Sequence, residues 1–364
     1  MRSLILLTQN QYSVVSHFFS GIKLALENMG YAVDILYCDN PDTIAKGFIK
    51  LAPIEAYDHI FSFNGNGLGK ITDSFNTLAF AKLKPVYVYC VDNPIHVIPR
   101  FYGHPVTVLC VAEEHVALMR HFGHKASYFP HAVMDSKKCY PAPEIDNKNE
   151  NILFPISFMS SESAKSALTP VWEQLGEGID ASNSVTDFLR VIGVVPTETS
   201  PARTKFDENI RRITVLVDRF LRARERERCL LYCASRKIKL NVVGRDSLKF
   251  RALTDYHEYN EAINFSDLLK EMSLSRWVLH QSPGFEEGLH ERIVYPLVCG
   301  TPVIVWKYPH VLSAMRNKGV IDFADYDALN KEDSYIQLLT KGKQEVLDHH
   351  TWSQRLSALL TDTK

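Results

Sequence analysis

Pro283-Gly-Phe-Glu-Glu-Gly-Leu-His-Glu-Arg-Ile-Val-Tyr-Pro-Leu-Val-Cys-Gly-Thr-Pro-Val-Ile-Val305 runs from a glycine-bearing loop with an acidic pair, through a short amphipathic helix, to a Cys-Gly-Thr-Pro turn and an apolar strand. A loop that opens into a helix presents backbone N–H groups without partners, and these suit an anion such as a diphosphate. The residues whose N–H groups would face it are Gly288, Leu289 and His290. Arg292 lies one turn into the helix, with Thr301 in the turn beyond. The turn at Gly300–Pro302 sends the chain back as Val303–Trp306, which makes the segment one unit of a doubly wound α/β sheet.

The flanks extend this pattern in both directions. Apolar runs at Leu4–Leu7, Ala32–Tyr37, His59–Phe63, Val86–Val91 and Thr107–Ala112 alternate with helical periodicity over Ser16–Met29, Asp42–Ile49 and Glu113–Phe122. That alternation predicts a parallel sheet with helices on both faces over residues 1–135, with Tyr128–Ala132 as its last strand and exit. Residues 136–150 are polar and proline-bearing, a linker composition. A second unit spans 151–334, with strands at Ile152–Ile156, Lys239–Gly244 and Arg276–His280 and a helix over Phe265–Met272. Ser163–Arg236 departs from the alternation. It reads as a helical insertion over about 163–236, turning near Val195–Pro201, and offers a surface for an acceptor, a partner or a homodimer. A last helix, Tyr335–Leu360, falls in residues 335–364.

Bulk composition narrows the function classes. With 364 residues, 46% hydrophobic and 23% charged, the chain can pack two globular domains. A net charge of −1 argues against electrostatic capture of nucleic acid. The run Arg222-Ala-Arg-Glu-Arg-Glu-Arg228 reads as a solvated helix face with i,i+4 pairs. Seven cysteines lack any CxxC spacing and sit mostly in apolar segments, as expected in a reducing compartment. The apolar run Leu4–Leu7 is too short for a signal peptide, and no stretch approaches a membrane span, so the expected location is the cytoplasm.

Ligands of doubly wound sheets bind at the carboxyl ends of the strands. That rule selects Gln9 after the first strand, and Asn64, Gly65 and Asn66 after the third. It also selects Asp92 after Val86–Val91, and His131 at the exit of the first unit. In the second unit Arg245 follows Val242-Val-Gly244 and could neutralise a leaving diphosphate. Ser160, Ser161 and Lys165 could assist it. Asp325-Tyr-Asp327 has the spacing of a metal-binding triplet but lies in a polar turn, so no metal is expected.

In order, these pieces resemble GT-B glycosyltransferases, and within them the spore-maturation-type (CgeB-like) group. The resemblance rests on Ser62-Phe63-Asn64, Val91-Asp92-Asn93-Pro94, Phe129-Pro130-His131-Ala132, the Gly288–Gly300 block and Asp348-His-His-Thr-Trp-Ser-Gln-Arg355. It covers most of the chain except about 160–236. It implies two Rossmann-like domains facing a cleft, with a terminal helix that crosses back to the first. A nucleotide sugar would be the co-substrate on the second domain, with no other cofactor, and a glycan, protein or small-molecule acceptor would enter from the first domain near Gln9, Asn64–Gly69 and Asp92. Glu287 would touch the donor sugar hydroxyls. Many retaining members carry a second glutamate eight positions further on, which binds the ribose. That position holds Tyr295, which can hydrogen-bond a hydroxyl but cannot accept two as a carboxylate can. If the reaction inverts, Asp92 or His131 would be the general base. A catalytically inactive binding or scaffold protein on the same fold is the alternative, and a GT-B-like epimerase or phosphorylase-like enzyme is a further rival.

Overall fold

The computed structural model describes residues 1–8, 13–72, 75–136, 139–141, 143–195, 204–281, 284–329 and 331–361. Its strands are β1 (Arg2–Leu7), β2 (Ala32–Tyr37), β3 (His59–Phe63), β4 (Lys70–Thr72), β5 (Phe75–Asn76), β6 (Val86–Cys90), β7 (Thr107–Cys110), β8 (Lys125–Tyr128), β9 (Asn149–Pro155), β10 (Leu240–Val243), β11 (Glu258–Asn260), β12 (Ser275–His280), β13 (Val303–Val305) and β14 (Val320–Asp322). They form two six-stranded sheets, ordered β2-β1-β3-β6-β7-β8 and β11-β10-β9-β12-β13-β14, with β4 and β5 as a separate hairpin. Every pairing in the two large sheets is parallel.

Near-continuous apolar runs force this layout. Leu4–Leu7 and all of β6 are buried, as strands covered by helices on both faces must be. The helices start at side-chain caps: Asn40 accepts from Thr43 N–H before Pro41–Phe48, Asn264 from Asp267 before Phe265–Leu274, and Asp207 from Ile210 before Glu208–Ser235. After helix Glu291–Val298, Gly300 takes φ +74° while Gly300 N–H and Thr301 N–H return to the carbonyls of Leu297 and Pro296. A residue with a Cβ would be strained in that turn, so the Cys-Gly-Thr-Pro sequence closes the helix and launches β13.

Three elements differ from their expected form. The last strand of the first sheet is Lys125–Tyr128, and Phe129–Ala132 continues beyond it as a buried exit from the domain. The single terminal helix is two, Glu332–His349 and Trp352–Thr361. Between them Thr351 bridges Val133, with Val133 N–H donating to the His350 carbonyl and Trp352 N–H to the Val133 carbonyl. Those bonds interrupt the helix and lock its last segment onto the first domain. Trp352 packs so closely on helix Val14–Asn28 that a Cβ at Gly21 would lie 2.3 Å from its ring.

The helical insertion is the crossover from β9 to β10, built of Ser161–Ala167, Thr169–Ala181, Val185–Val191 and the 28-residue helix Glu208–Ser235. Its turn is described only as far as Val195; residues 196–203 lie outside the described residues. The carboxyl half of the long helix packs on the second sheet through Cys229, Leu230 and Cys233. Its other helices reach the first domain, where Val185, Leu189 and Val194 join Ile95 and Leu118 in one apolar cluster. The insertion therefore spans both domains.

Candidate functional site

Two cavities lie between the domains at the carboxyl ends of the second sheet's strands, and Val14, Glu291 and Arg292 line both. One, of about 230 Å³, is walled by Pro155, Ile156, Gly244, Ile263, Phe265 and Arg226. The other, of about 250 Å³, is faced by Asp92 and His131 from the first domain and by Arg222, Phe285 and His290 from the second. They flank the point where strand order reverses, between β9 and β12, the usual ligand position of such sheets.

Three arginines converge there. Arg222 and Arg226 are one turn apart on the long helix, and Arg292 is the second residue of helix Glu291–Val298. Arg292 donates to the Pro155 carbonyl at 3.0 Å and Arg226 to the Ser157 carbonyl at 2.7 Å. Arg222 pairs with Asp218 at 2.9 Å, whose other oxygen meets His96 at 2.8 Å. Although burial opposes its ionisation, Arg222 and His96 hold the Asp218 carboxyl down at about 2. Among the described residues no carboxylate lies within ion-pair distance of Arg226; burial, then Arg292 and Arg222, push its guanidinium down to about 9, still charged at neutral pH. One Arg222 Nη and the Arg226 Nε are buried without a hydrogen-bond partner. Cations held together with spare N–H groups suit a bidentate anion such as a diphosphate.

Glu291 is the carboxylate common to both cavities. One oxygen lies 2.6 Å from His290 Nδ1 and 3.4 Å from His131 Nε2, and the other 3.6 Å from Arg292 Nε. His290 caps the helix, its Nδ1 accepting from the Arg292 backbone N–H at 3.2 Å. His131 Nδ1 meets the Tyr89 hydroxyl at 3.0 Å, so Nε2–H faces Glu291 and Nδ1 accepts from Tyr89. Burial lowers the His131 pKa to about 3, and the imidazole is neutral.

Asp92 faces Glu291's cavity from the first domain. Asn64, in the left-handed region at φ +49°, aims its side-chain N–H at Asp92 (2.9 Å) and accepts from Val91 N–H (3.0 Å). Arg100 ties the Asn64 carbonyl and the Asn66 side chain together, and a Cβ on Gly65 would press on Arg100 and Phe101. Asn64, Gly65 and Asn66 thus position Asp92.

Other candidates fall elsewhere. Tyr295 is fully buried between the domains, stacked on Phe18 and donating to the Ala132 carbonyl at 3.2 Å, so its hydroxyl is spent on the interface. Glu287 points into a third cavity, on the other side of its loop. The Gly288 backbone is bridged to Ala112, where a Cβ would sit 2.5 Å from the Val111 carbonyl oxygen, so this glycine serves domain contact rather than an anion. Leu289 is core. Thr301 sits at the amino end of β13, away from the cleft, donating to the Met272 carbonyl and accepting from Lys148. Arg245 is exposed and its carbonyl accepts from Phe158 N–H; it lines neither cleft cavity. Asp325 and Asp327 each pair with an arginine, Arg316 and Arg236. Gln9 lies outside the described residues.

The run Arg222–Arg228 corrects its sequence reading most sharply. Arg224 and Glu225 are buried and Arg222 and Arg226 face the cleft, while Arg228 is exposed as a solvated face requires. Their i,i+4 spacing was the available signal, but only the interdomain position of the helix gives it meaning.

No protein-family model matches the sequence, and a search of curated proteins finds no match. Solved structures do match. An alpha-glucosyltransferase in complex with UDP-glucose and DNA containing an abasic site aligns with a TM-score of 0.58 at 13% identity over 100% of both chains. Anabaena HepE in complex with UDP-glucose aligns at 0.52 and 11%, again over 100% of both. Sucrose-phosphate synthase from Thermosynechococcus elongatus gives 0.52 and 11% over 100% of both. At these identities the likeness is one of fold: the chain has the GT-B glycosyltransferase fold.

Proposed function

We propose that the chain is a glycosyltransferase that moves a sugar from a nucleoside diphosphate sugar, with uridine as the base, to an acceptor hydroxyl. The observation that carries this reading is the meeting of Arg222, Arg226 and Arg292 at the amino end of helix Glu291–Val298, with buried N–H groups unfilled. The base would lie against Ile263 and Phe265, the diphosphate among the arginines, and the sugar between Asp92 and Glu291. The choice of uridine draws on neighbours of the same fold that are in complex with UDP-glucose. The closer subgroup, the spore-maturation type, rests on the short sequence motifs alone.

The chemistry follows from the charges. The bond between the anomeric carbon and the diphosphate oxygen breaks with its electron pair on that oxygen, and three guanidinium groups and the helix dipole stabilise the developing charge without a metal. The acceptor oxygen forms the new bond and its proton goes to a base. Asp92 is the better placed of the two candidates, because it is half-buried at the cavity wall, whereas His131 is fully buried with its Nδ1 held by Tyr89. His131 would instead orient Glu291. The test is turnover: the protein incubated with UDP-glucose and related UDP sugars, in EDTA, should release UDP slowly. Asp92→Asn should lower that release at least a hundredfold with UDP affinity unchanged. No release from any UDP sugar by the wild type would overturn the reading.

A further inference from the structure

A cavity of about 520 Å³, larger than either of the two in the cleft, lies apart from them. It lies where the helical insertion meets the loops after β12 and β13, lined by Asp187 and Glu225 from the insertion, Gln281, Glu286 and Glu287 from one loop, and Trp306 and Lys307 from the other. The proposed donor site does not use it, and Glu287, which the family resemblance would set against the donor sugar, lines it instead. Its volume is in the range of sites that enclose a small organic ligand.

Charge pairing decides what it suits. Glu225 is met by Arg228 at 2.7 Å, Arg224 at 3.4 Å and Lys307 at 3.5 Å. Arg190 reaches Asp187 at 3.1 Å and Glu286 at 3.8 Å. Most of the negative charge is therefore compensated, and among the described residues no three His, Cys, Asp or Glu side chains are disposed to hold a metal. What remains is a surplus of acceptor lone pairs. Independently, Gln281 is only 4% exposed, and its side-chain oxygen is buried with no hydrogen-bond partner. A buried unfilled acceptor is costly and calls for a donor. The half-buried Trp306 indole adds an aromatic wall, with the Lys307 ammonium 5.5 Å from its ring centre. Many O–H donors on one side and an aromatic ring on the other describe a saccharide.

We infer that this cavity binds a saccharide and holds the acceptor glycan. The inference rests on the glycosyltransferase reading for the ligand's role, not for its binding. Phe285 lines both this cavity and the one containing Asp92 and Glu291, so the bound saccharide and the proposed reaction centre share a wall.

The test is saturation-transfer NMR on the full chain with maltotriose, chitotriose and lactose, each with and without UDP. At least one should bind, and Gln281→Leu and Trp306→Ala should each weaken it tenfold or more while UDP affinity moves less than twofold. The leucine variant removes an unfilled polar atom and keeps the volume, so it guards against a folding failure. Saccharide binding without UDP binding would leave this inference standing and bring down the donor reading. UDP binding with no saccharide bound, or saccharide binding unchanged in both variants, would overturn the inference alone.

Discussion

Tyr295 and Arg226 mark the limits of reading single residues. Position 295 carries the spacing of a ribose ligand, yet its side chain is spent between Phe18, Phe265 and Ala132. Tyr295→Phe should cost about 1 kcal/mol of stability, the worth of one hydrogen bond, and leave UDP affinity unchanged. A tenfold loss of affinity, read by calorimetry beside a denaturant curve, would return the tyrosine to the site. Strand ends were legible because the carboxyl-edge rule needs only the strands: Asp92 and His131 both line the cleft. Arg222 and Arg226 were not, since a charged helical run looks the same against solvent as against a cleft. The sequence points to Glu287 rather than Glu291 because family spacing says which glutamate matches a motif, not which way the loop turns it.

Among the elements, the loop 284–289 bears most on the interface. The Glu114 carboxylate accepts the N–H groups of Glu286 and Glu287, Glu113 N–H reaches the Glu287 carbonyl, and His115 meets the Gly284 carbonyl. Burial outweighs those two N–H bonds and raises the Glu114 carboxyl from 4.5 to about 7. Because the folded pKa is raised, the native state holds a proton that the unfolded chain releases, so stability is lost as pH rises from 4.5 to 7, on the order of 3 kcal/mol across the interval. Glu114→Gln should remove that share of the pH dependence in denaturant titrations at pH 5 and 7. An identical slope in wild type and variant would refute it. The αβ alternation of each sheet was legible from periodicity, whereas the break at His350–Thr351 was not, because it exists to pair with Val133, more than two hundred residues away.

Across the whole molecule the two domains meet at histidines that are buried (His115, His131) or half-buried (His17, His350). Burial lowers His17 and His115 to about 4 and His131 and His350 to about 3. The sign is opposite to Glu114: the unfolded chain binds these protons first, so stability is complete above 6.5 and falls as pH drops below it, at roughly 1.4 kcal/mol per pH unit for each histidine. Four histidines outweigh one glutamate, and the melting temperature should drop between pH 6.5 and 5. A flat profile by scanning calorimetry over that range would contradict the burial assigned to them.

The same interdomain seam carries the proposed donor site, and calorimetric titration of the full chain with UDP tests it most directly. The account predicts saturable one-to-one binding in EDTA, weakened tenfold to a hundredfold in Arg226→Ala, as loss of a charged hydrogen-bonding partner of the diphosphate implies. That variant relieves repulsion among three arginines but gives up the bond to the Ser157 carbonyl, so its melting temperature should change little. Absence of UDP binding, or equal affinity in Arg226→Ala, would contradict the arginine cluster as a diphosphate site.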